Sequence, residues 1–176
     1  MKVPNLNRSG LDSGRTSLTL RGLAFSLGLL TNLGVLAAEV GEKAPSFSIV
    51  SLTSNETVSL DDFKGKVVIL DFWASWCGPC MQEIPRVNAV VDAYGEDVAV
   101  LGVNMGEDAR TVERAVEARG MRYPSVLDPR SALGTKFAVQ SIPLVVVLDA
   151  TGRIRYRGNG LPTRSTALID GLLSSS

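Results

Sequence analysis

The apolar residues of this chain fall into one long uncharged run near the start and a series of short segments further along. The clearest segment is Val67–Trp73, which is apolar except for Asp71 and therefore predicts a strand buried on both faces. Residues 98–103 and Leu144–Leu148 have the same character, and residues 154–157 predict one further strand. We expect these segments to form the core of the molecule.

Apolar residues at helical spacing alternate with these strands. Two short segments, 47–52 and 57–60, flank a polar stretch and predict a hairpin. Helices are predicted from the cysteine pair to Tyr94, over residues 111–119 with a stop at Gly120, and over residues 163–173. Strands that alternate with helices indicate an α/β fold whose sheet has parallel strands in the middle and antiparallel strands toward one edge.

The long uncharged run covers residues 22–38 and predicts an export signal. A basic lead of Lys2, Arg8, Arg15 and Arg21 precedes it, and Glu39 restores polarity after it. Signal cleavage near Ala37 is the favoured interpretation, and an uncleaved membrane anchor is the alternative. Because the positive charges precede the apolar run, we expect the following domain outside the cytoplasm in either case, most simply in a periplasm.

Residues 39–176 then form one domain of ordinary size. They carry 14 Lys and Arg residues and 17 Asp and Glu residues, a slight negative balance without a basic stripe. Nucleic acid is therefore not an expected partner, and we expect a monomer that touches a membrane only if the segment 1–38 is retained.

Both cysteines of the chain lie in one pentapeptide, Trp76-Cys77-Gly78-Pro79-Cys80, and the chain has no histidine. Without histidine, the chain cannot supply a four-ligand structural zinc site, a Cys-His nucleophilic site or the CxxCH sequence of covalent haem attachment. A purely structural disulfide is a weak interpretation, because so short a loop removes little entropy from the unfolded chain. Reversible dithiol-disulfide chemistry is favoured, with Cu(I) binding by two thiolates as an alternative.

Two carboxylates near the pentapeptide are candidate proton carriers. Asp71 interrupts the buried strand, and burial raises the pKa of a carboxyl group, which suits a group that accepts a proton from a thiol. Glu83 lies one helical turn after Cys80, where an ordinary solvated glutamate is the alternative interpretation. Of the two carboxylates, we expect Asp71 to contribute more to resolution of the mixed disulfide.

The motif 72–80, together with Val139-Gln140-Ser141-Ile142-Pro143, resembles the thioredoxin superfamily. Leu101-Gly102-Val103-Asn104 and the segment 123–128 are similar to its TlpA/ResA-like branch of exported thiol-disulfide oxidoreductases. The resemblance covers residue 40 to the end of the chain. It implies a three-layer fold, with a central mixed sheet between helices, an N-terminal hairpin and an inserted helix.

The motif also suggests a role for each of its residues. At a helix start the free N–H groups and the helix dipole stabilise a thiolate, so we expect Cys77 to attack and Cys80, one turn deeper, to resolve the mixed disulfide. Gly78 keeps bulk away from the sulfurs and Pro79 fixes the turn. Trp76 offers an apolar surface for a docking polypeptide, with plain packing as the alternative.

The resemblance adds further expectations. Pro143 is expected to be cis and to face the cysteines, and the backbone of Ile142 to pair with an extended substrate segment. Asp71 matches the buried aspartate of thioredoxins, and Glu83 the active-site glutamate of ResA-like proteins. The implied activity is reduction of protein disulfides, and cytochrome c maturation is one process that it would serve. The resemblance also implies an upstream membrane dithiol donor. It implies no cofactor or metal beyond the redox-active Cys77/Cys80 pair. A disulfide oxidase, an isomerase and a thiol peroxidase are the rival activities.

Overall fold

A computed structural model describes residues 38–52 and 54–175. The predicted export segment, residues 1–38, lies outside this range except for Ala38. None of the helices in the described part of the chain is both long and apolar enough to cross a membrane. The elements, in chain order, are β1 (Ser48–Val50), β2 (Thr57–Ser59), β3 (Val67–Trp73), α1 (Gly78–Tyr94), β4 (Val98–Met105), α2 (Ala109–Arg119), β5 (Ser125–Asp128), α3 (Ala132–Lys136), β6 (Leu144–Leu148), β7 (Ile154–Gly158) and α4 (Ser165–Leu173).

Five strands form the central sheet, in the order β5-β4-β3-β6-β7. Strands β3, β4 and β5 are parallel to one another, whereas β6 and β7 are antiparallel to their neighbours. The predicted mixed sheet is therefore confirmed, with its antiparallel strands on one side. The predicted hairpin is the separate antiparallel pair of β1 and β2, in which Ile49 pairs with Val58.

Both faces of the central sheet are covered, which explains why all seven residues of β3 are buried. Alternate residues of a strand point to opposite faces. Val67 and Ile69 pack with apolar residues of α1 and α4, whereas Val68, Leu70 and Phe72 pack on the other side with residues of α3 and the N-terminal segment. The result is the three-layer arrangement expected from the sequence.

The starts and ends of the helices follow local chemistry. Asp108 caps α2, because its side chain accepts a hydrogen bond from the Thr111 N–H at 3.0 Å. Gly120 ends the same helix in the left-handed conformation with φ of 60°, as predicted from its position. Two elements, β5 and α3, were not predicted from the apolar pattern, because β5 contains only two apolar residues and α3 only one large one.

Candidate active site

Cys77 and Cys80 are joined by a disulfide bond at the amino end of α1. Cys77 is the N-cap residue, and its Sγ accepts a hydrogen bond from the Cys80 N–H at 3.2 Å. Free N–H groups and the positive end of the helix dipole therefore point toward this sulfur. The arrangement is one in which a negative charge on Cys77 would be stabilised once the disulfide is reduced.

Three neighbours of the cysteines shape the surface above the buried disulfide. Trp76 is 71% exposed, so the structure favours a surface role for its ring over core packing. A Cβ atom at Gly78 would meet no atom within 4 Å, and Pro79 occupies the first turn of α1, where its missing N–H is not needed. The two cysteines themselves are only 5% and 2% exposed.

Asp71 is buried in the middle of β3 and is 1% exposed. Its Oδ2 accepts a hydrogen bond from the Tyr123 hydroxyl at 2.8 Å, and its Oδ1 has no hydrogen-bond partner among the described residues. Burial raises the pKa of Asp71 from 3.8 to about 7; the hydrogen bond from Tyr123 lowers it, and the charge of Glu83 raises it. This carboxyl group can therefore change its protonation state near neutral pH.

Glu83 is also buried, but both of its carboxylate oxygens accept hydrogen bonds. Its Oε1 accepts a hydrogen bond from the Leu161 N–H at 2.6 Å, and both of its oxygens lie 3.1–3.2 Å from the Arg86 guanidinium. Arg86 also donates to the Pro162 carbonyl at 3.0 Å. Glu83 thus joins α1 to the segment before α4, and both of its oxygens already have partners.

The Ile142–Pro143 peptide bond is cis, as the resemblance implied. Ile142 lines a groove of about 450 Å³ next to the disulfide loop. Its other lining residues are Trp76, Met105, Ser131, Val139, Gln140 and Ser141. The structure thus brings together two of the residues predicted to bind substrate, Trp76 and Ile142, on one mostly apolar groove.

A carboxylate that no sequence pattern marks, Glu107, holds the loop before the disulfide. The Glu107 side chain accepts hydrogen bonds from the Ser75 N–H at 2.7 Å and the Asn104 amide at 2.8 Å, and also from the Ser75 hydroxyl. Although burial raises the pKa of Glu107, these hydrogen bonds outweigh it and the net effect is a lowered pKa. Only the turn after β4 places Glu107 beside Ser75, 32 residues away in sequence.

A second contact that the sequence did not predict holds the segment between α3 and the cis-proline. The Arg157 guanidinium on β7 donates to the carbonyl oxygens of Phe137 and Ala138, both at 2.7 Å. These carbonyls end α3 and begin the segment that leads to Ile142. No local sequence signal marks Arg157, because its partners lie about 20 residues earlier in the chain.

A mixed α/β sheet, a disulfide at the amino end of a helix and a cis-proline before β6 together define a thioredoxin-fold thiol-disulfide oxidoreductase. The sulfurs can exchange disulfide bonds, and a carboxyl group that titrates near neutrality lies under the same helix. Within the described residues, no group of three or more Cys, His, Asp or Glu side chains could hold a metal ion.

Comparison with known proteins agrees with this class. The Redoxin family model matches residues 39–170, and the chain belongs to that family. The thiol-disulfide oxidoreductase ResA of Geobacillus kaustophilus is 33% identical over 129 residues, which are 73% of this chain and 74% of the relative. The thioredoxin-like protein YneN of Bacillus subtilis is 35% identical over 118 residues, covering 65% of this chain and 68% of the relative.

Solved structures give the same result. A candidate thiol:disulfide interchange protein DsbE from Chlorobium tepidum superposes with a TM-score of 0.68 at 26% identity, covering 79% of this chain and 98% of the other. A thiol-disulfide oxidoreductase from Bacteroides fragilis has a TM-score of 0.67 at 25% identity, with 74% and 99% covered. The protein is therefore a thiol-disulfide oxidoreductase of the ResA/DsbE type with Cys77 and Cys80 as its disulfide.

Proposed function

We propose that this protein reduces disulfide bonds of other proteins outside the cytoplasm. The observation that carries the proposal is the position of Cys77: its sulfur faces the Cys80 N–H at the start of α1, beside the exposed Trp76 ring. A thiolate there is stabilised by the helix and is flanked by a surface on which a polypeptide can dock.

The reaction proceeds in two exchanges. The Cys77 thiolate attacks one sulfur of the substrate disulfide, a mixed disulfide forms, and the second substrate sulfur leaves as a thiolate that takes up a proton. The Cys80 thiol then loses its proton to Asp71 and attacks the Cys77 sulfur. The Cys77–Cys80 bond forms, the remaining substrate sulfur leaves, and two electrons have passed to the substrate.

The groove beside Trp76 and Ile142 supports a substrate that docks as an extended peptide. The Ile142 backbone lies next to it and would pair with the peptide as an added strand. Gly78, Pro79 and Pro143 complete the surface around the disulfide. We propose that an upstream membrane dithiol donor returns the Cys77–Cys80 pair to its reduced form after each cycle.

The substrate class is a protein disulfide in an exported polypeptide. The similarity to the TlpA/ResA-like branch favours apocytochrome c, whose CxxCH cysteines must be reduced before haem is attached. The extracytoplasmic location rests on the basic lead and apolar run of residues 1–38.

The direction of electron flow is tested by the reduction potential of the Cys77/Cys80 pair, measured in glutathione or dithiothreitol redox buffers. Because Gly-Pro separates the cysteines as in thioredoxins, we expect a value nearer the roughly −270 mV of thioredoxin than the roughly −120 mV of DsbA. A potential near that of DsbA would contradict reduction and favour an oxidase.

The substrate class is tested by trapping. A Cys80→Ser variant cannot resolve the mixed disulfide and should hold an oxidised CxxCH peptide on Cys77, which mass spectrometry detects. The Cys77→Ser variant is the control and should trap none. If Cys80→Ser holds an unrelated disulfide peptide as readily as the CxxCH peptide, the preference for apocytochrome c is wrong, although disulfide reduction can still hold.

A further inference from the structure

Tyr123 reaches Asp71 from two strands away. Asp71 on β3, Gly102 on β4 and Ser125 on β5 lie side by side in the sheet register, and Tyr123 lies two residues before Ser125. The Tyr123 hydroxyl nevertheless donates to Asp71 Oδ2 at 2.8 Å. The tyrosine therefore extends across β4, the strand that separates it from the carboxyl group.

Gly102 makes this reach possible. A Cβ atom at Gly102 would lie 3.3 Å from Cε2 of the Tyr123 ring and 2.7 Å from the Ser125 hydroxyl oxygen. A side chain on β4 would thus occupy the space that the tyrosine ring crosses. The contact between Tyr123 and Asp71 is built into the sheet and does not depend on an exposed or adjustable side chain, since Tyr123 is only 4% exposed.

The Asp71 carboxyl group is surrounded by side chains from β3, from α1 and from the segment before β5. Tyr123 approaches from the β5 side, Glu83 from α1 acts on it through its negative charge, and Trp73 shares its face of β3. Cys80 lies in the first turn of α1, the helix that covers this face. No Lys or Arg of the described residues donates a hydrogen bond to Asp71, and its Oδ1 has no partner among them.

Tyr123 is therefore the sole hydrogen-bond donor that the described residues offer to the ionised form of Asp71. The hydroxyl keeps its own proton, because burial and the neighbouring Asp71 charge raise the pKa of Tyr123. A hydrogen bond to the charged form of a carboxyl group favours that form. This one bond therefore opposes the effect of burial and lowers the pH at which Asp71 becomes the carboxylate that can accept a proton.

We propose that Tyr123 is a positioning residue for the redox reaction: it orients the Asp71 carboxylate and sets the pH range in which the mixed disulfide is resolved. This inference rests on the proposed function, in which Asp71 takes the Cys80 proton as the Cys80 sulfur attacks Cys77. Tyr123 donates the same hydrogen bond before and after that transfer and does not itself gain or lose a proton.

The experiment compares three Tyr→Phe variants, one for each tyrosine of the chain. Tyr94 donates to Asp170 at 2.8 Å on the surface, and Tyr156 donates to the Gly160 carbonyl at 2.8 Å, so both are matched controls. Each reduced variant is mixed with a synthetic peptide containing an intramolecular disulfide, and the mixed disulfide is followed by acid quench and mass spectrometry over a range of pH.

We expect the resolution rate to rise with pH as Asp71 ionises. Loss of the Tyr123 hydroxyl should move the midpoint of this rise upward by about one pH unit, because the carboxylate loses a hydrogen bond of ordinary strength. Tyr94→Phe and Tyr156→Phe should leave the midpoint in place. An unchanged midpoint in folded Tyr123→Phe, or equal shifts in all three variants, would overturn the inference.

A second measurement covers the case in which Tyr123→Phe fails to fold. Incorporation of 3-fluorotyrosine keeps the hydroxyl but makes it a stronger donor, so the midpoint should move downward. The fluorinated residue is incorporated into the double variant Tyr94→Phe/Tyr156→Phe, in which Tyr123 is the one remaining tyrosine. An upward shift or no shift in this labelled protein would contradict the inference.

The Asp71→Asn variant separates this inference from the proposed function. If Asp71→Asn slows resolution while Tyr123→Phe moves no midpoint, the role of Tyr123 is wrong and that of Asp71 stands. If Asp71→Asn leaves both the rate and its pH dependence unchanged, the proton-accepting role of Asp71 is wrong and the inference falls with it. The reduction potential tests the direction of electron flow independently of either residue.

Discussion

The burial of Asp71 should make the stability of the oxidised protein depend on pH, and Asp71→Asn should remove that dependence. Between pH 3.8 and about 7 the folded protein still holds the Asp71 proton that the unfolded chain has released. The folded state therefore binds more protons in this range, and its stability falls as pH rises through it. Asparagine does not ionise, and it can still accept the hydrogen bond from Tyr123.

The size of this change in stability follows from the difference between the Asp71 pKa in the folded and in the unfolded protein. At about 1.4 kcal/mol per pKa unit, a rise from 3.8 to about 7 corresponds to about 4 kcal/mol of stability lost on ionisation of Asp71. Because the side chain is 1% exposed, little solvent screening reduces this value. Relative to the native sequence, Asp71→Asn should gain stability progressively between about pH 4 and pH 7 and then level off.

Guanidinium denaturation of the oxidised proteins, followed by tryptophan fluorescence at intervals from about pH 4 to about pH 8.5, measures this difference. Ser125→Ala is the control, since it alters the same row of buried residues without removing a titratable group. Its difference from the native sequence should not vary with pH. If the difference for Asp71→Asn is equally flat, Asp71 does not titrate near neutrality and the electrostatic account of the site is wrong.

Two further changes test the packing around the site. Gly102→Ala should destabilise the protein by about 1–3 kcal/mol, because its Cβ would lie 2.7 Å from the Ser125 hydroxyl oxygen, whereas Gly171→Ala on open helix surface should stabilise it by about 0.5–1 kcal/mol in the same denaturation assay. Glu107→Ala should lower the free energy of unfolding by about 1–2 kcal/mol, because the loop before the disulfide loses its hydrogen bonds. For the same reason, it should raise KM for a disulfide peptide. Asp108→Ala, which removes the α2 cap, should leave KM unchanged; equal KM values in both variants would refute the role of Glu107.

The sequence pattern predicted the elements that are long or strongly apolar. Val67–Trp73 could be predicted as a buried strand because six of its seven residues are apolar, and the helix that starts at the cysteine pair because apolar residues recur at helical spacing as far as Tyr94. Gly120 marked the end of α2 through its freedom to adopt positive φ. The elements β5 and α3 were not predicted because two apolar residues in β5 and one large apolar residue in α3 form no recognisable pattern.

The site was only partly predictable, for a related reason. Cys77 and Cys80 are local in sequence, and Asp71 stood out as the one charge in an apolar strand. The partners of these residues come from distant strands and turns, so Tyr123 and Glu107 became visible only when the sheet order placed them. A buried carboxyl group signals that some partner exists, but no sequence rule identifies which one.

We expect Asp71 to accept the Cys80 proton when the mixed disulfide is resolved, whereas Glu83 mainly joins α1 to the segment before α4. The most direct measurement is the lifetime of the mixed disulfide near pH 7 in the Asp71→Asn and Glu83→Gln variants. We predict that Asp71→Asn prolongs this lifetime at least tenfold, as expected for loss of a proton acceptor, and that Glu83→Gln prolongs it much less. Equal lifetimes in the two variants, or a longer one in Glu83→Gln, would contradict the account.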